Sequence, residues 1–475
     1  MLKIHPDDNV AVATAAGEAV PFGHKMALVD IAGGGKVIKY GAPIGLASCD
    51  IAAGEHVHGH NLNTGLGGHE TYAYEAKPPA PVQGQQAEFM GFRRPDGRVG
   101  IRNEIWIIPS VGCVNGIADI VARKAGALLR GSVEAVCSFP HPHGCSQLGD
   151  DHENTKKALC ALAMHPNAGG VLVLGLGCEN NGVDGMKELL SEASGERIKF
   201  LVCQEVGDEV AAALSLVEEL ITVAAADKRA VLPASELIVG LKCGGSDGLS
   251  GITANPLVGA FSDRLIAAGG SAILTEVPEM FGAETILMER CINESVFDKT
   301  VALINDFKDY FTGYGQTIYE NPSPGNIAGG ITTLEEKALG CTQKAGTSPV
   351  VAVLDYGEAL SEKGLNLLKA PGNDLVAATA LALSGAQLVL FTTGRGTPFA
   401  CPVPTVKIAS NTALYEKKQH WMDYNAGGLI EGHALPDMAE DFFSQVLDIA
   451  SGVQRARSES GDVPGIAIFK DGVTL

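Results

Sequence analysis

The sequence predicts an α/β protein of more than one domain, with a small all-β module at its N-terminus. The chain has 475 residues, whereas single hydrophobic cores stop growing at roughly 250–300 residues. Apolar residues make up 46% of the chain and aromatic residues only 5%, with 59 glycines, which suits a core of small aliphatic side chains with many tight turns. From Phe89 onward, short apolar runs alternate with amphipathic stretches. This alternation is the pattern of βα units on a mainly parallel sheet.

The first 66 residues are predicted to form short strands separated by glycine-rich turns. These strands are Val10–Ala15, Lys25–Asp30, Lys36–Tyr40 and Ile44–Ala47. Residues 67–88 contain Pro, Gly and Gln without apolar periodicity, which predicts an extended linker. The charged, proline-bearing stretch at 227–235 predicts a second boundary. The expected division is therefore 1–66, a linker at 67–88, a middle domain at 89–230 and a C-terminal domain at 231–475.

Eight strands and eight helices are predicted after Phe89 from apolar runs and from helical periodicity. The predicted strands are Ile105–Pro109, Ala135–Ser138, Val171–Gly175, Phe200–Cys203, Ile238–Leu241, Ala272–Thr275, Val350–Leu354 and Gln387–Phe391. The predicted helices are Gly116–Leu129, Asp151–Met164, Val183–Ala193, Gly207–Ala224, Asn255–Ala268, Glu284–Asp309, Asp374–Leu383 and Met438–Ser451.

The charge balance limits the partners that we expect. The chain carries 55 acidic and 35 basic side chains, for a net charge of −20, which repels nucleic acid and anionic membrane surfaces. Residues 1–8 lack the basic start and apolar run of a signal peptide, and no run reaches the roughly 18–20 apolar residues of a membrane span. We therefore expect a cytoplasmic protein, without a nucleic-acid or membrane partner, whose 11 cysteines are free thiols.

Glycine-rich polar motifs follow directly on the predicted strands. In open α/β sheets, ligands bind at the carboxyl ends of the strands. Three of these loops carry a cysteine beside glycines, namely Cys145, Cys178 and Cys243. Convergent thiols form a soft ligand set suited to iron, although each thiol alone is also compatible with buried packing. No pair has the CxxC spacing of a zinc ribbon.

A nicotinamide cofactor is not expected. The segment GLGCEN at 175–180 begins like a dinucleotide fingerprint but has Asn180 at the position of the third glycine. The residues near 195–200 offer no acidic residue at a strand end to bind a ribose.

Histidines are concentrated in the N-terminal module. His56, His58 and His60 alternate, and on a strand all three project from one face with neighbours about 6–7 Å apart. They can hold a metal or a carboxylate, or they can simply form a solvated edge strand. His24 and Lys25 lie at a strand entry, where His24 can carry a proton near neutral pH and Lys25 can pair with an acidic substrate. A surface turn is the alternative for this pair.

Two cations are well situated to bind a carboxylate. Lys344 lies in a glycine-bearing segment, and Arg395 lies between two glycines, where its guanidinium can bind a carboxylate in bidentate fashion. Each could instead be an ordinary surface charge. His152 follows Asp150 and Asp151 at the predicted start of a helix, where we expect at least one of the two carboxylates to cap the helix.

Several long motifs resemble those of the altronate/galactarate dehydratase family. They are GHKMAL at 23–28, GEHVHGHN at 54–61, GCSQLGDDH at 144–152, GLGCENN at 175–181, KCGGSDGLSGITANP at 242–256, GGITTLEEKALGCTQKAG at 329–346 and TTGRGTP at 392–398. The resemblance extends from the N-terminal module to the last helix. It implies a hydro-lyase that removes water from a sugar acid, with iron(II) or manganese(II) and reduced thiols. The pattern favours D-altronate, converted to 2-dehydro-3-deoxy-D-gluconate in hexuronate breakdown.

The resemblance also implies an architecture: an N-terminal β-clip module of the SAF type, a middle α/β domain used in homodimerisation, and a C-terminal Rossmann-like domain with a metal site. Dehydration removes the proton on C2 while hydroxide leaves C3, so an acid and a base must flank the substrate. The expected acid and base come from His24, Lys25 and His152. The expected substrate ligands are Ser246, Lys344 and Arg395. The expected metal ligands are Cys145, Cys178 and Cys243, with Asp247 and Glu276 as harder oxygen ligands.

Three other functions stay open from the sequence. Galactarate dehydration or sulfolactate desulfonation would reuse the same loops within the same family. A non-catalytic sugar-acid-binding protein is the alternative from a different class, and an assay of turnover distinguishes it from an enzyme.

Overall fold

The computed structural model describes residues 1–15, 19–75, 77–80, 84, 86–190, 195–460 and 465–474. Within residues 1–63, the described part of the chain contains two three-stranded antiparallel sheets, β1-β2-β5 and β3-β4-β6. The strands are β1 (Val10–Val12), β2 (Lys25–Ala27), β3 (Lys36–Lys39), β4 (Ala42–Ala47), β5 (His56–Val57) and β6 (Leu62–Asn63). The predicted all-β module is confirmed. Parts of the predicted linker, at 76, 81–83 and 85, lie outside the described residues.

A two-residue hairpin joins β3 to β4. Its residues, Tyr40 and Gly41, have φ angles of 62° and 74°, the left-handed pair that a tight turn between right-twisted strands requires. Tyr40 is not a residue that favours this region. Its hydroxyl lies against Gly251 and Gly340, where a Cβ on Gly251 would overlap it. The unusual turn therefore places the Tyr40 hydroxyl in contact with two glycines of the C-terminal part of the chain.

Residues 88–233 contain a parallel four-stranded sheet, β10-β9-β11-β12, and a small antiparallel sheet, β13-β7-β8. The strands are β7 (Glu88–Arg93), β8 (Val99–Gly100), β9 (Glu104–Pro109), β10 (Val136–Ser138), β11 (Ala168–Gly175), β12 (Ile198–Val202) and β13 (Ala230–Pro233). The helices are α1 (Asn115–Ala125), α2 (Gly149–Ala163), α3 (Val183–Leu190) and α4 (Glu209–Ala224). The end of the predicted helix Val183–Ala193 lies outside the described residues.

The C-terminal part is built on a parallel seven-stranded sheet of order β16-β17-β15-β14-β18-β19-β20. The strands are β14 (Ile238–Cys243), β15 (Ser271–Leu274), β16 (Val350–Leu354), β17 (Leu365–Leu368), β18 (Leu388–Thr393), β19 (Thr405–Ala409) and β20 (Tyr424–Asn425). The helices are α5 (Ala254–Ala267), α6 (Glu284–Met288), α7 (Glu294–Gly313), α8 (Pro324–Ala328), α9 (Leu334–Thr342), α10 (Asp374–Leu383), α11 (Thr412–Lys417) and α12 (Leu435–Ala450).

The strand order creates one ligand-binding edge in this sheet. The chain passes from β14 to β15 on one side, whereas β18 adds on the other side of β14, so the strand order reverses between β14 and β18. Ligands of open α/β sheets bind at such a reversal, beyond the carboxyl ends of the strands. Within the described residues, no helix is both long and apolar enough to cross a membrane.

The predicted α/β class is confirmed, and each strand predicted after Phe89 overlaps an observed strand. One predicted helix, Glu284–Asp309, is instead two helices, α6 and α7. The break occurs because Asn293 accepts a hydrogen bond from the Val296 amide and caps α7, as asparagine does at many helix starts. Between the two helices, the backbone of Cys291 forms an isolated parallel β-bridge with Val350 at the edge of the large sheet.

Candidate active site

Three histidines of the N-terminal module converge. His24 directly precedes β2, His56 belongs to β5, and His58 follows β5; the two strands pair with Met26 opposite His56. His24 Nδ1 lies 3.1 Å from His56 Nε2, and the rings of His56 and His58 stack with centroids 5.4 Å apart. One ring nitrogen from each histidine lies within 4.8 Å of the other two. Imidazole nitrogens at this spacing can share one divalent cation.

Residues 328–332, from the C-terminal part of the chain, form a wall beside these histidines. His24 Nε2 lies 3.4 Å from the carbonyl oxygen of Ala328, and His58 Nδ1 lies 3.0 Å from the hydroxyl of Thr332. A Cβ on Gly330 or on Gly248 would overlap the carbonyl oxygen of Gly23. Glycine is needed there because the two backbones approach so closely. The histidine group therefore lies at the contact between the module and the C-terminal part.

Burial changes the protonation of the histidine group. It lowers the pKa of His24 and of His56, and it lowers the pKa of His58 to about 4, with the nearby Lys25 ammonium acting in the same direction on all three. These shifts favour the neutral form of all three rings. A neutral imidazole offers a lone pair that binds a metal or accepts a proton.

A buried ion-pair triad lies under the histidine group. Lys25 Nζ donates to Glu336 Oε2 at 2.7 Å, and Lys39 Nζ donates to Glu336 Oε1 at 2.9 Å. Burial alone would raise the pKa of Glu336, but the two ammonium groups outweigh it and lower that pKa to about 2. Burial lowers the pKa of Lys25 to about 8 against the opposing effect of Glu336. The lysine predicted to act in catalysis thus forms part of the docking contact.

Glu276 and Lys344, predicted to bind metal and substrate respectively, are paired with each other. Lys344 Nζ lies 3.2 Å from Glu276 Oε2, which also accepts from the Cys243 amide at 2.9 Å. The other oxygen of Glu276 accepts from Lys242, whose Nζ lies 2.9 Å from Asp374 as well. Both Glu276 and Lys344 are buried. Their roles as ligands stay predictions, and the observed contacts hold the strand ends of β14 and β15 together.

A second convergent group lies at the carboxyl end of β14. Cys243 Sγ lies 3.3 Å from Cys341 Sγ, and Glu279 Oε2 lies 3.2 Å from the first sulfur and 3.1 Å from the second. The other oxygen of Glu279 pairs with Lys337 Nζ at 2.8 Å. The contact with Cys243 and burial raise the pKa of the Cys341 thiol well above its usual range. All three residues of the group are buried.

The remaining predicted residues of the C-terminal part lie in or beside the loop that follows β14. The Asp247 carboxylate accepts hydrogen bonds from Ser250, Ser410 and Asn411, so it ties the loop to β19. Ser246 is buried, and its hydroxyl has no hydrogen-bond partner among the described residues. Arg395 has an exposed side chain, and its amide bonds to Gly245. Arg395 is therefore the predicted cation that faces solvent at this edge.

Cys145 and Cys178 lie in loops of the four-stranded sheet, and His152 lies in the first turn of α2 beside them, on a different sheet edge from Cys243. Both cysteines are exposed, and His152 Nε2 lies 3.0 Å from the carbonyl oxygen of Asn180. Neither of the metal-compatible groups found in the described part of the chain includes them. The three predicted thiols do not converge because their strands belong to two separate sheets.

Sequence reasoning missed Glu279, Cys341, Glu336 and Lys337. Three of them lie on α9, a helix that was not predicted, although the sequence Thr333-Leu334-Glu335-Glu336 carries a capping-box signal. In the structure, Thr333 accepts from the Glu336 amide at the start of this helix. The capping signal could have revealed α9, whereas the pairing of Glu279 with two distant thiols has no sequence signal.

Three family models match the chain. They are the altronate/galactarate dehydratase SAF domain over residues 14–65, the D-galactarate dehydratase/altronate hydrolase second domain over 91–225, and the D-galactarate/altronate dehydratase C-terminal model over 234–474. The first match confirms the expected SAF-type module.

Curated relatives match over nearly the whole chain. The chain is 54% identical to an altronate dehydratase of Bacillus subtilis (strain 168) and 52% identical to one of Escherichia coli (strain K12), over 100% of this chain and 99% of each relative. It is 32% identical to the galactarate dehydratase (L-threo-forming) of Escherichia coli (strain K12), over 96% of this chain and 94% of the relative. With these identities and three matching models, the chain belongs to the D-galactarate/altronate dehydratase family.

Proposed function

We propose that this protein is a hydro-lyase that converts D-altronate to 2-dehydro-3-deoxy-D-gluconate and water. The observation that carries the proposal is the convergence of three imidazoles at the contact between the N-terminal module and the C-terminal part. The choice of substrate rests on identities of 54% and 52% to altronate dehydratases, against 32% to a galactarate dehydratase.

A divalent cation fits the histidine group. Its donors are His24, His56 and His58, and imidazole suits first-row metals such as iron. Catalytic metal sites keep an open coordination position, and the side chains of His56 and His58 are partly exposed. Bound iron(II) or manganese(II) would supply Lewis-acid stabilisation of the negative charge that develops on the substrate carboxylate.

The protein's own residues supply orientation and proton transfer. Thr332 contacts His58 Nδ1 and fixes the orientation of that ring, as outer partners of metal-binding histidines do. His60 is exposed, and its ring centroid lies 5.6 Å from that of His56. We infer that His60 is the proton carrier beside the group, because the other three rings would hold the cation. Lys25 Nζ donates hydrogen bonds to Gly330, Thr332 and Glu336, and so holds the wall in position.

The proposal predicts metal-dependent turnover. Protein stripped with a chelator should lose D-altronate dehydration, and iron(II) or manganese(II) with a reductant should restore it, because ferrous iron and thiols both fail on oxidation. The product 2-keto acid is measured directly, with galactarate as the comparison substrate. Full turnover after exhaustive chelation would contradict the metal requirement, and turnover of galactarate alone would contradict the substrate.

Arg395→Lys is predicted to raise KM for the sugar acid about tenfold with a smaller change in kcat. The reason is that loss of a bidentate contact to a carboxylate weakens ground-state and transition-state binding alike. Steady-state kinetics on D-altronate measure the two parameters. Arg130→Lys, a change at an arginine that pairs with Glu218 in the middle of the chain, is the matched control. An unchanged KM in Arg395→Lys would mean that Arg395 is an ordinary surface charge without a role in substrate binding.

We further infer a homodimer with the division 1–66, 67–88, 89–230 and 231–475, in a cytoplasmic enzyme. Each of the three family matches lies within one of the proposed domains, which supports the boundaries. The dimer stays a prediction that sedimentation of the purified chain measures.

A further inference from the structure

Residues 65–75, called the strap below, leave the N-terminal module and lie against the C-terminal part of the chain. The Gly65 amide donates to Glu335 Oε1 at 2.6 Å. Further along, the Glu70 backbone exchanges two hydrogen bonds, of 3.3 and 2.9 Å, with the side-chain amide of Asn305 in α7. These contacts fix the path of a segment that belongs to no helix or strand.

Tyr72 of the strap completes a buried ion pair of the C-terminal part. Its hydroxyl donates to Glu284 Oε1 at 2.6 Å and accepts from Lys308 Nζ at 3.1 Å. The same ammonium lies 3.1 Å from Glu284 Oε1. Lys308 is 0% exposed and Glu284 is 4% exposed. Because a phenol hydroxyl can donate and accept at once, Tyr72 bridges the two charges.

The ion pair depends on this hydroxyl. A buried ammonium and carboxylate are stable together only when further hydrogen bonds satisfy their remaining protons and lone pairs. Among the described residues, Tyr72 and Glu284 are the hydrogen-bond partners of the Lys308 ammonium. Burial and the hydrogen bond to Glu284 raise the pKa of Tyr72, so the hydroxyl keeps its proton at neutral pH. Release of the strap would leave a buried charge short of a partner, which is costly.

A strap held in this way limits where the module can go. Only Thr64 separates Gly65 from β6, and the Thr64 hydroxyl itself donates to Glu335. The free tether between the bound strap and the module is therefore almost absent. A short tether gives the module a high effective concentration at its docking surface, whereas a free linker would let it sample a large volume.

We propose that Tyr72 is a positioning residue for the histidine group. It anchors the strap, and the anchored strap keeps the module against the wall at 328–332 of the same chain. The inference rests on the proposed function, in which the three histidines act at that wall. The ion pairs of Glu336 dock the body of the module, whereas Tyr72 fixes the chain that leaves it.

The test compares Tyr72→Phe with Tyr74→Phe in the full-length protein. The first variant keeps the ring and removes the bridging hydroxyl. The second is the matched control on the same strap, because Tyr74 contacts the ring of Phe297 and its hydroxyl makes no hydrogen bond among the described residues. Amide hydrogen exchange, followed by mass spectrometry, reports the opening of each segment without any need for turnover.

In Tyr72→Phe, we expect peptides that cover 54–66 and 328–333 to exchange about tenfold faster, the effect of losing a charge-assisted hydrogen bond. Peptides of β18 should be unchanged, and the control should match the wild type. Faster exchange confined to the strap would show that it does not position the module. Unchanged exchange throughout, or equal acceleration in β18, would overturn the proposal as well.

Kinetics on D-altronate supply the functional readout. Substrate bound between the module and the wall would favour the docked form, so Tyr72→Phe should raise KM more than it lowers kcat. A lower kcat at an unchanged KM would mean that Tyr72 has only a structural role, and would overturn the proposal. An inactive wild type would count against the proposed function, and hydrogen exchange would still decide whether Tyr72 holds the module in place.

Discussion

His58→Ala is expected to lower kcat/KM for D-altronate about 10³-fold. The change removes one of three imidazoles whose nitrogens lie within 4.8 Å of one another, and with it the contact to Thr332. A metal that acts as a Lewis acid contributes several kcal/mol to the transition state, and each 1.36 kcal/mol is about a factor of ten. Steady-state kinetics and metal content are measured on the same sample, so that a loss of turnover can be matched to a loss of one ion.

His69→Ala is the control for this variant. His69 is an exposed histidine whose Nδ1 lies 3.3 Å from Asp309, and it is not a member of the group of three. Its turnover should equal that of the wild type. If His58→Ala retained both its metal and its turnover, the histidine group would not be the catalytic site, and the metal site would have to be sought elsewhere.

The histidine group could be predicted only in part from the sequence. Alternation of His56, His58 and His60 predicted neighbouring rings, and the rings of His56 and His58 do stack. That His24 joins them depends on the antiparallel pairing of β2 with β5. The strand β5 has two residues, too few to carry a periodic signal. The position of His24 in this site therefore could not be predicted from the sequence pattern, because it depends on long-range pairing between short strands.

The thiols were predicted to converge, and the structure separates them. Cysteines beside glycines after strands predicted one convergent set, because the carboxyl ends of parallel strands meet at one edge. Among the described residues there are instead two parallel sheets, so that Cys145 and Cys178 lie apart from Cys243. Apolar runs locate strands but carry no information on which strands share a sheet. The partner of Cys243 is Cys341, on a helix hidden from periodicity because every residue of α9 is buried.

Strand prediction succeeded where both faces of the sheet are covered. The strands β14 and β18 are apolar runs with buried side chains throughout most of their length, as parallel sheets require. The strands β17, β19 and β20 were missed for local reasons. Asn366 and Lys407 interrupt the first two with polar side chains that are nonetheless buried, and β20 has only two residues.

Glu336→Gln is expected to lower the free energy of unfolding by about 3–5 kcal/mol, the range for removal of one partner from a buried ion pair. The change leaves the ammonium groups of Lys25 and Lys39 buried without a counter-charge, since both pair with this carboxylate. The same two lysines belong to the N-terminal module. The variant should therefore also loosen the module, with faster proteolysis between it and the C-terminal part and a loss of turnover.

The effect should depend on pH in a defined window. Glu336 has an ordinary pKa of 4.5 and a folded-state pKa of about 2, so the unfolded chain binds the proton more tightly. The stabilisation is complete above about pH 4.5 and is lost as the pH falls toward 2. The difference in unfolding free energy between the wild type and Glu336→Gln should accordingly shrink across that range. Chemical denaturation at several pH values measures it.

Glu335→Gln is the matched control, because Glu335 precedes Glu336 on the same helix and is also buried against the module. Its carboxylate accepts from the Thr64 hydroxyl and the Gly65 amide, neutral donors that a glutamine carbonyl can also satisfy. The substitution should therefore cost far less stability and leave turnover nearly intact. Equal losses in the two variants would mean that packing of α9, rather than the charge of Glu336, holds the module in place. A loss confined to Glu336→Gln would instead mean that the histidine group keeps its geometry only while this one carboxylate stays ionised.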